Sequence, residues 1–161
     1  MPEDAKTIYQ NLLEDITDAY LRDDFDAFLA MMGLPHEIKT FEDTHTSETV
    51  DDFRRLFEGM RDNLSGHGVT QFLRLCLEAN FTSPDEIVGT HETHIMRNTA
   101  YIQAPYPVMS KLQRRQGSWV VVASQNALDD KNSVGTVLRN AVGHSSPPTQ
   151  QTTSLKERDD D

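Results

Sequence analysis

This sequence of 161 residues has little of what would stabilise or localise several classes of protein. Its single cysteine, Cys76, excludes an internal disulfide and a multi-cysteine zinc cluster, so the fold must depend on a packed core. Its apolar runs are far shorter than the ~20 residues that cross a bilayer, and its start, MPEDAKTIYQ, lacks the profile of a signal peptide. We therefore expect a cytoplasmic domain without membrane contact.

Positive charge is also scarce. The 15 Lys and Arg residues face 26 Asp and Glu, and the resulting net charge of −11 argues against nucleic-acid binding, which requires an excess of basic side chains. Sixteen of the 26 acids fall within residues 1–66, where the apolar residues follow a helical period. Since charged outer faces are usual for surface helices, we assign this acidity to the solvent side of the helices.

The first third of the chain predicts three helices and one strand. Apolar residues recur at helical spacing from Asp4 to Arg22, and a second, short helix from Phe25 should end at Gly33 and Pro35. Alternation over residues 36–44 predicts a strand. Ser47 or Thr49 can then cap a third helix, whose apolar face runs from Val50 to Leu64.

After residue 68 the period changes to two, which predicts a sheet. Strands are expected over residues 69–81, 86–97, 100–116 and 118–128, the last apolar enough on both faces to be central or to lie under a subunit contact. In the first of these, strict alternation places the following side chains on one apolar face: Leu73, Leu75, Leu77, Ala79 and Phe81. We expect the folded domain to span residues 1–128. Residues 129–161 should form a largely disordered extension with one weak helix over residues 134–142.

This order of elements indicates an α+β domain in which three N-terminal helices pack into a curved, mainly antiparallel sheet. The chain resembles the nuclear transport factor 2-like, or SnoaL-like, superfamily in this order of elements and in three segments. These are the step between helices YLRDDFD (Tyr20–Asp26), the helix TVDDFRRLF (Thr49–Phe57) and the start of the last strand, QGSW (Gln116–Trp119). The resemblance implies a cone-shaped fold whose open end holds a small apolar molecule. It also implies a homodimer through the sheet face.

The candidate site residues project from the predicted sheet. His91 and His94 in the segment THETH are candidate acid/base groups, since histidine titrates near neutrality. Neighbouring strands supply the candidate ligand-binding residues Tyr106, Arg114, Ser124 and Asn126. The alternative is that the two histidines are hydrogen-bonded structural residues or line the subunit contact.

Other chemistries are less well supported by the sequence. In a strand His91 and His94 point to opposite faces, which argues against a metal site, and we expect neither a metal nor a cofactor. Cys76 lies among leucines, as a structural thiol does. A ketosteroid-isomerase type of site needs a tyrosine and a carboxylate base. The resemblance would place them near Ile16 and Thr40, and neither of these residues can do that chemistry.

Three functions therefore remain open. The first is a SnoaL-like protein with a small-molecule pocket inside the cone. The second is a cofactor-independent isomerase, cyclase or dehydratase acting on an apolar substrate. The third is a non-catalytic dimeric interaction module. The same cone supports all three, because a fold does not fix a function.

Overall fold

A computed structural model of the chain describes residues 3–128 together with Val134, Val137 and Leu138. The helices in this part are α1 (Ala5–Arg22), α2 (Phe25–Ala30) and α3 (Val50–Gly66). The strands are β1 (Met32–Lys39), β2 (Thr44–Ser47), β3 (Gln71–Ser83), β4 (Glu86–Arg97), β5 (Ala100–Tyr101), β6 (Tyr106–Arg115) and β7 (Ser118–Asn126). The predicted α+β class is confirmed.

The helix boundaries follow local capping chemistry. The Asp4 side chain accepts a hydrogen bond from the Thr7 amide and starts α1, and Asp24 does the same for the Ala27 amide at the start of α2. Thr49 forms a capping box with Asp52 at the start of α3. In the described part of the chain, no helix is both long and apolar enough to cross a membrane.

The strands form one curved sheet in the order β2-β1-β7-β6-β4-β3, with β5 paired to β4. Every neighbouring pair is antiparallel except β1 and β7, which run parallel. The β6–β7 hairpin turns through Gln116 and Gly117, both at positive φ (54° and 82°), the combination that a type I′ turn requires. The central position of β7 agrees with its apolar character.

Two sequence predictions around β1 are wrong. Residues 32–35 do not end a helix but begin β1, because α2 stops at Ala30 and the chain pairs at once with β7. At Gly33 an added Cβ would lie 2.9 Å from side-chain atoms of both Val120 and Val122, so only glycine lets the strands approach this closely. The predicted strand over residues 36–44 is divided in two, and β2 is an element that the sequence did not indicate.

The face predicted for β3 is also wrong in part. A bulge between Cys76 and Glu78 shifts the register against β4, so strict alternation does not run through the whole strand. Before the bulge, Phe72 and Cys76 are buried under the helices, while Leu73 and Leu75 lie on the outer face, 44% and 47% exposed. The predicted apolar face is thus not the core face.

The core lies between the helices and the inner face of the sheet. Tyr9, Phe28, Phe53, Phe57 and Ile87 are fully buried there. Val134 and Leu138 are helical in conformation and buried in the same core. Val137 is also helical and packs against this core, and the other residues of the predicted helix over 134–142 and of the predicted tail lie outside the described residues.

Candidate functional site

A cavity of about 100 Å³ lies between the helices and the inner face of the sheet. Its apolar lining comes partly from α1, α2, α3 and the C-terminal residues: Leu13, Ile16, Phe28, Leu56, Met60, Val134 and Leu138. The sheet supplies further apolar side chains: Met32, Ile38, Phe72, Val108 and Val121. The sheet contributes most of the polar lining: His36, Arg74, His91, Thr93, Tyr106, Ser110, Ser124 and Asn126. No aspartate or glutamate is among the described lining residues.

His91 forms a buried pair with Tyr9 of α1. The Tyr9 hydroxyl and His91 Nδ1 are 2.7 Å apart. Gly89 makes this contact possible, because a Cβ there would lie 2.5 Å from the Tyr9 ring. Burial, with a smaller effect from the positive charge of Arg74, lowers the pKa of His91 to about 3. His91 is therefore a neutral imidazole at physiological pH.

Arg74 is held on the inner face of β3 by α1. Its Nε donates to the Thr17 hydroxyl (3.1 Å) and its Nη2 to the Leu13 carbonyl (3.2 Å). The Gln10 side chain of α1 also binds the backbone of β3. Its Nε2 donates to the Arg74 carbonyl (2.9 Å), and its Oε1 accepts from the Cys76 backbone amide (2.7 Å). Within the described part of the chain, Arg74 forms no ion pair.

The Arg74 guanidinium lies over an aromatic ring, with its Cζ 5.2 Å from the centroid of Phe72. Burial lowers the pKa of Arg74, and the nearby Tyr20, Tyr106 and Tyr9 hydroxyls act in the opposite direction. Burial also raises the pKa of Tyr106 to about 12, so this phenol remains protonated. Arg74 itself stays charged, as arginine does throughout the physiological range.

His36 is a second buried imidazole in the cavity wall. Its Nδ1 lies 3.1 Å from the Val121 carbonyl oxygen, so Nδ1 carries the proton and donates. Burial lowers its pKa to about 4, with a smaller opposing effect of this hydrogen bond. His36 is thus neutral near pH 7, like His91.

The structure brings four of the six predicted site residues to the cavity. His91, Tyr106, Ser124 and Asn126 all line it. Asn126 Nδ2 donates to the Ser124 hydroxyl (3.2 Å) and the Lys39 carbonyl (3.4 Å), which holds the end of β7 beside β1.

The other two predicted residues lie outside the cavity. His94 is on the outer face of β4, as alternation requires, and bonds Glu92 (2.9 Å) and the Tyr101 hydroxyl (3.0 Å). Arg114 is at the end of β6, where it binds Asp85 at the surface. Neither can touch a molecule held in the cone.

Sequence reasoning missed Arg74 and His36. The bulge after Cys76 separates Arg74 from Glu78, whose carboxylate accepts a hydrogen bond from Asn80. The signal for Arg74 was its position between Phe72 and Cys76 on the less apolar face of the strand. His36 was predicted only as the first residue of a strand, whereas it lies within β1, which begins at Met32.

Metal and thiol chemistry find no support here. No group of three or more His, Cys, Asp or Glu residues within the described ranges could hold a metal ion. Burial raises the pKa of Cys76, which disfavours the thiolate. The thiol is a small core group, as predicted.

No protein-family model and no curated protein matches this sequence. Solved structures match its fold. An NTF2-like protein of unknown function from Shewanella oneidensis is 11% identical over 73% of this chain and 93% of its own, with a TM-score of 0.58. An NTF2-like protein with a cystatin-like fold from Novosphingobium aromaticivorans is 15% identical over 83% of this chain and 88% of its own, with a TM-score of 0.59.

A third solved structure belongs to an enzyme. The hexachlorocyclohexane dehydrochlorinase LinA-type3 from Novosphingobium barchaimii is 14% identical over 76% of this chain and 85% of its own, with a TM-score of 0.52. These likenesses define the class of protein as an α+β cone. More particularly, the chain has the nuclear transport factor 2-like fold, and the prediction of this fold from the sequence is confirmed.

Proposed function

We propose that this protein binds a small molecule inside the cone. The observation that supports this most directly is the cavity, where apolar side chains from the helices and the sheet surround a set of polar side chains that lie mostly on the sheet. Ligand sites commonly combine an apolar lining with a few polar groups that orient the ligand. A core serving stability alone would fill this space, since interiors pack to the density of organic crystals.

The volume limits the ligand. A cavity of about 100 Å³ is smaller than the ~150 Å³ apolar cavity that admits benzene. We therefore expect a ligand of benzene size or smaller. The apolar side chains from the helices would contact its hydrocarbon part, and Tyr106, Ser124 and Asn126 would orient its polar part.

Binding is better supported than catalysis. A general acid or base works best with a pKa near the working pH, whereas His91 has a pKa of about 3 and His36 of about 4. Both are neutral and weakly basic in the free protein. In a binding site the same imidazoles serve as uncharged hydrogen-bonding groups.

The test is a screen for binding by NMR chemical-shift changes with 1-propanol, propionamide, propionate and benzene. Val108→Phe would fill the cavity from β6, where Val108 is buried, and should abolish binding. The matched control is Met109→Phe on the same strand, because Met109 is 41% exposed. Ile16→Phe fills the cavity from α1 should Val108→Phe not fold. Shifts that persist in both filled variants, or no binding by any probe, would contradict the proposal.

A second candidate function, dimerisation, is favoured by the outer sheet face. Leu73 and Leu75 of β3 and Met109 of β6 are exposed there, on either side of the Glu92–His94 pair of β4. Residues 67–128 carry four acids and five bases, so two copies can bring their sheets together without the repulsion of the acidic helices. We propose a second copy of this chain as the partner.

Sedimentation at micromolar concentration tests this contact. The double change Leu73→Lys and Leu75→Lys should convert a dimer into a monomer. Val50→Lys is the control, since Val50 is 43% exposed at the start of α3, a helix that packs its apolar side chains into the core rather than on the outer sheet face. A wild-type monomer, or a dimer that the double change leaves intact, would refute the proposed interface.

A further inference from the structure

The cavity contains one charge without a counter-ion. Arg74 lines it, no acidic side chain among the described residues does, and no described carboxylate lies within ion-pair distance of the guanidinium. Arg74 is partly buried, and withdrawing a charge from water is costly unless the charge is paired or hydrogen-bonded. A permanent positive charge on the wall of a ligand cavity therefore indicates an anionic ligand.

The hydrogen bonds of Arg74 leave room for such a ligand. Arginine has five N–H donors. Thr17 and Leu13 accept from one each, so three have no acceptor among the described residues. The two bonds to α1 fix the plane of the guanidinium, so a ligand meets a pre-organised fork.

The surrounding groups suit an anion as well. Tyr20 and Tyr106 line the cavity beside Arg74 with protonated phenols, because burial raises the pKa of both. A phenol can donate its O–H to an anionic oxygen. The neutral imidazole of His91 also lines the cavity, with its Nδ1 paired to the Tyr9 hydroxyl.

Resting on the proposed function, we infer that the cavity takes a short-chain carboxylate, its head group on the Arg74 guanidinium and its alkyl tail against Phe28, Leu56 and Met60. The planar fork of arginine matches the two oxygens of a carboxylate. A single arginine suits a monoanion, and the largely apolar wall suits a hydrocarbon tail. A phosphate dianion would place a second negative charge beside a lining that offers no second cation among the described residues.

The inference is tested by comparing propionate with its neutral isostere propionamide on the full chain, by calorimetry and NMR. A charge-assisted hydrogen bond to Arg74 should make propionate bind at least ~10-fold more tightly. Arg74→Met should remove this preference, and Arg74→Lys, which keeps the charge but not the fork, should retain part of it. Arg114→Met is the control, because Arg114 lies at the surface outside the cavity.

Two spectroscopic readouts apply to the wild-type chain, so the test does not depend on the folding of a variant. Propionate should shift the Arg74 Nε resonance. It should also raise the pKa of His91, since an anion offsets the Arg74 charge that helps to lower it.

Several outcomes would overturn the inference. If propionamide binds as tightly as propionate, the pocket proposal remains intact, but the inference of an anionic ligand is refuted. Retention of the propionate preference in Arg74→Met, or displacement of propionate by equimolar phosphate or chloride, would remove the assignment to a carboxylate on Arg74. If propionate, propionamide, 1-propanol and benzene all fail to bind, the pocket proposal itself is refuted.

Discussion

Acid should destabilise this fold through two buried histidines before most carboxylates titrate. His36 and His91 have pKa values of about 4 and about 3 in the folded state, chiefly because burial disfavours their charged forms. In the unfolded chain each should titrate near the ordinary value of ~6.5. The perturbation is a change of pH from 7.5 to 5.

The sign follows from proton binding. Between the folded and unfolded pKa values the unfolded state binds more protons, so stability falls as the pH falls below about 6.5. At pH 5 each histidine should cost about 2 kcal/mol of unfolding free energy relative to pH 7.5, and the two together about 4 kcal/mol. That is a large fraction of the ~5–15 kcal/mol typical of a folded domain.

Urea unfolding at the two pH values measures the effect. The double variant His36→Asn and His91→Gln keeps polar groups at both positions but cannot bind these protons. It should lose about 4 kcal/mol less than wild type between pH 7.5 and pH 5. Contributions of all other titrating groups cancel in this comparison. His94→Gln, which removes an imidazole from the outer face of β4, is the matched control for the loss of a histidine side chain.

A destabilisation by acid of the same size in wild type and the double variant would refute the reasoning. It would mean that the two imidazoles are solvated in the folded state, or that they already bind protons there. A lower stability of the double variant at pH 7.5 would not affect the conclusion, because only the change with pH is compared.

Two further predictions concern packing, and urea unfolding checks both. Gly89→Ala should destabilise the protein by about 1–3 kcal/mol, because the added methyl group would overlap the Tyr9 ring. The control is Gly66→Ala, which should be neutral or stabilising because no atom lies within 4 Å of the added methyl group. Equal effects of the two changes would contradict the account of Gly89. Phe28→Ala should lower the free energy of unfolding by about 3–5 kcal/mol, because a fully buried ring is lost. Phe41→Ala should lower it by less than about 0.5 kcal/mol, because Phe41 is 73% exposed. A small loss for Phe28→Ala would show that neighbouring side chains move in to fill the space, contrary to a rigid cavity wall.

The sequence alone determined the order of the three helices and the long strands, because each of these is specified by its own residues. The helical stripe of α1, the Thr49 cap of α3 and the change of period after Gly68 depend on local chemistry. The same holds for the opposite faces of His91 and His94, since side chains alternate along a strand. These local signals sufficed for the α+β cone.

Tertiary structure decided which side chains reach the cavity. The bulge in β3 breaks the alternation, and the hydrogen bonds that Arg74 donates to Leu13 and Thr17 of α1 hold it on the inner face. β1 begins early because its backbone pairs with β7, a contact distant in sequence. Register and bulges arise from pairing between strands, so no single segment encodes them. The unpaired arginine on the cavity wall is therefore a property of the folded chain.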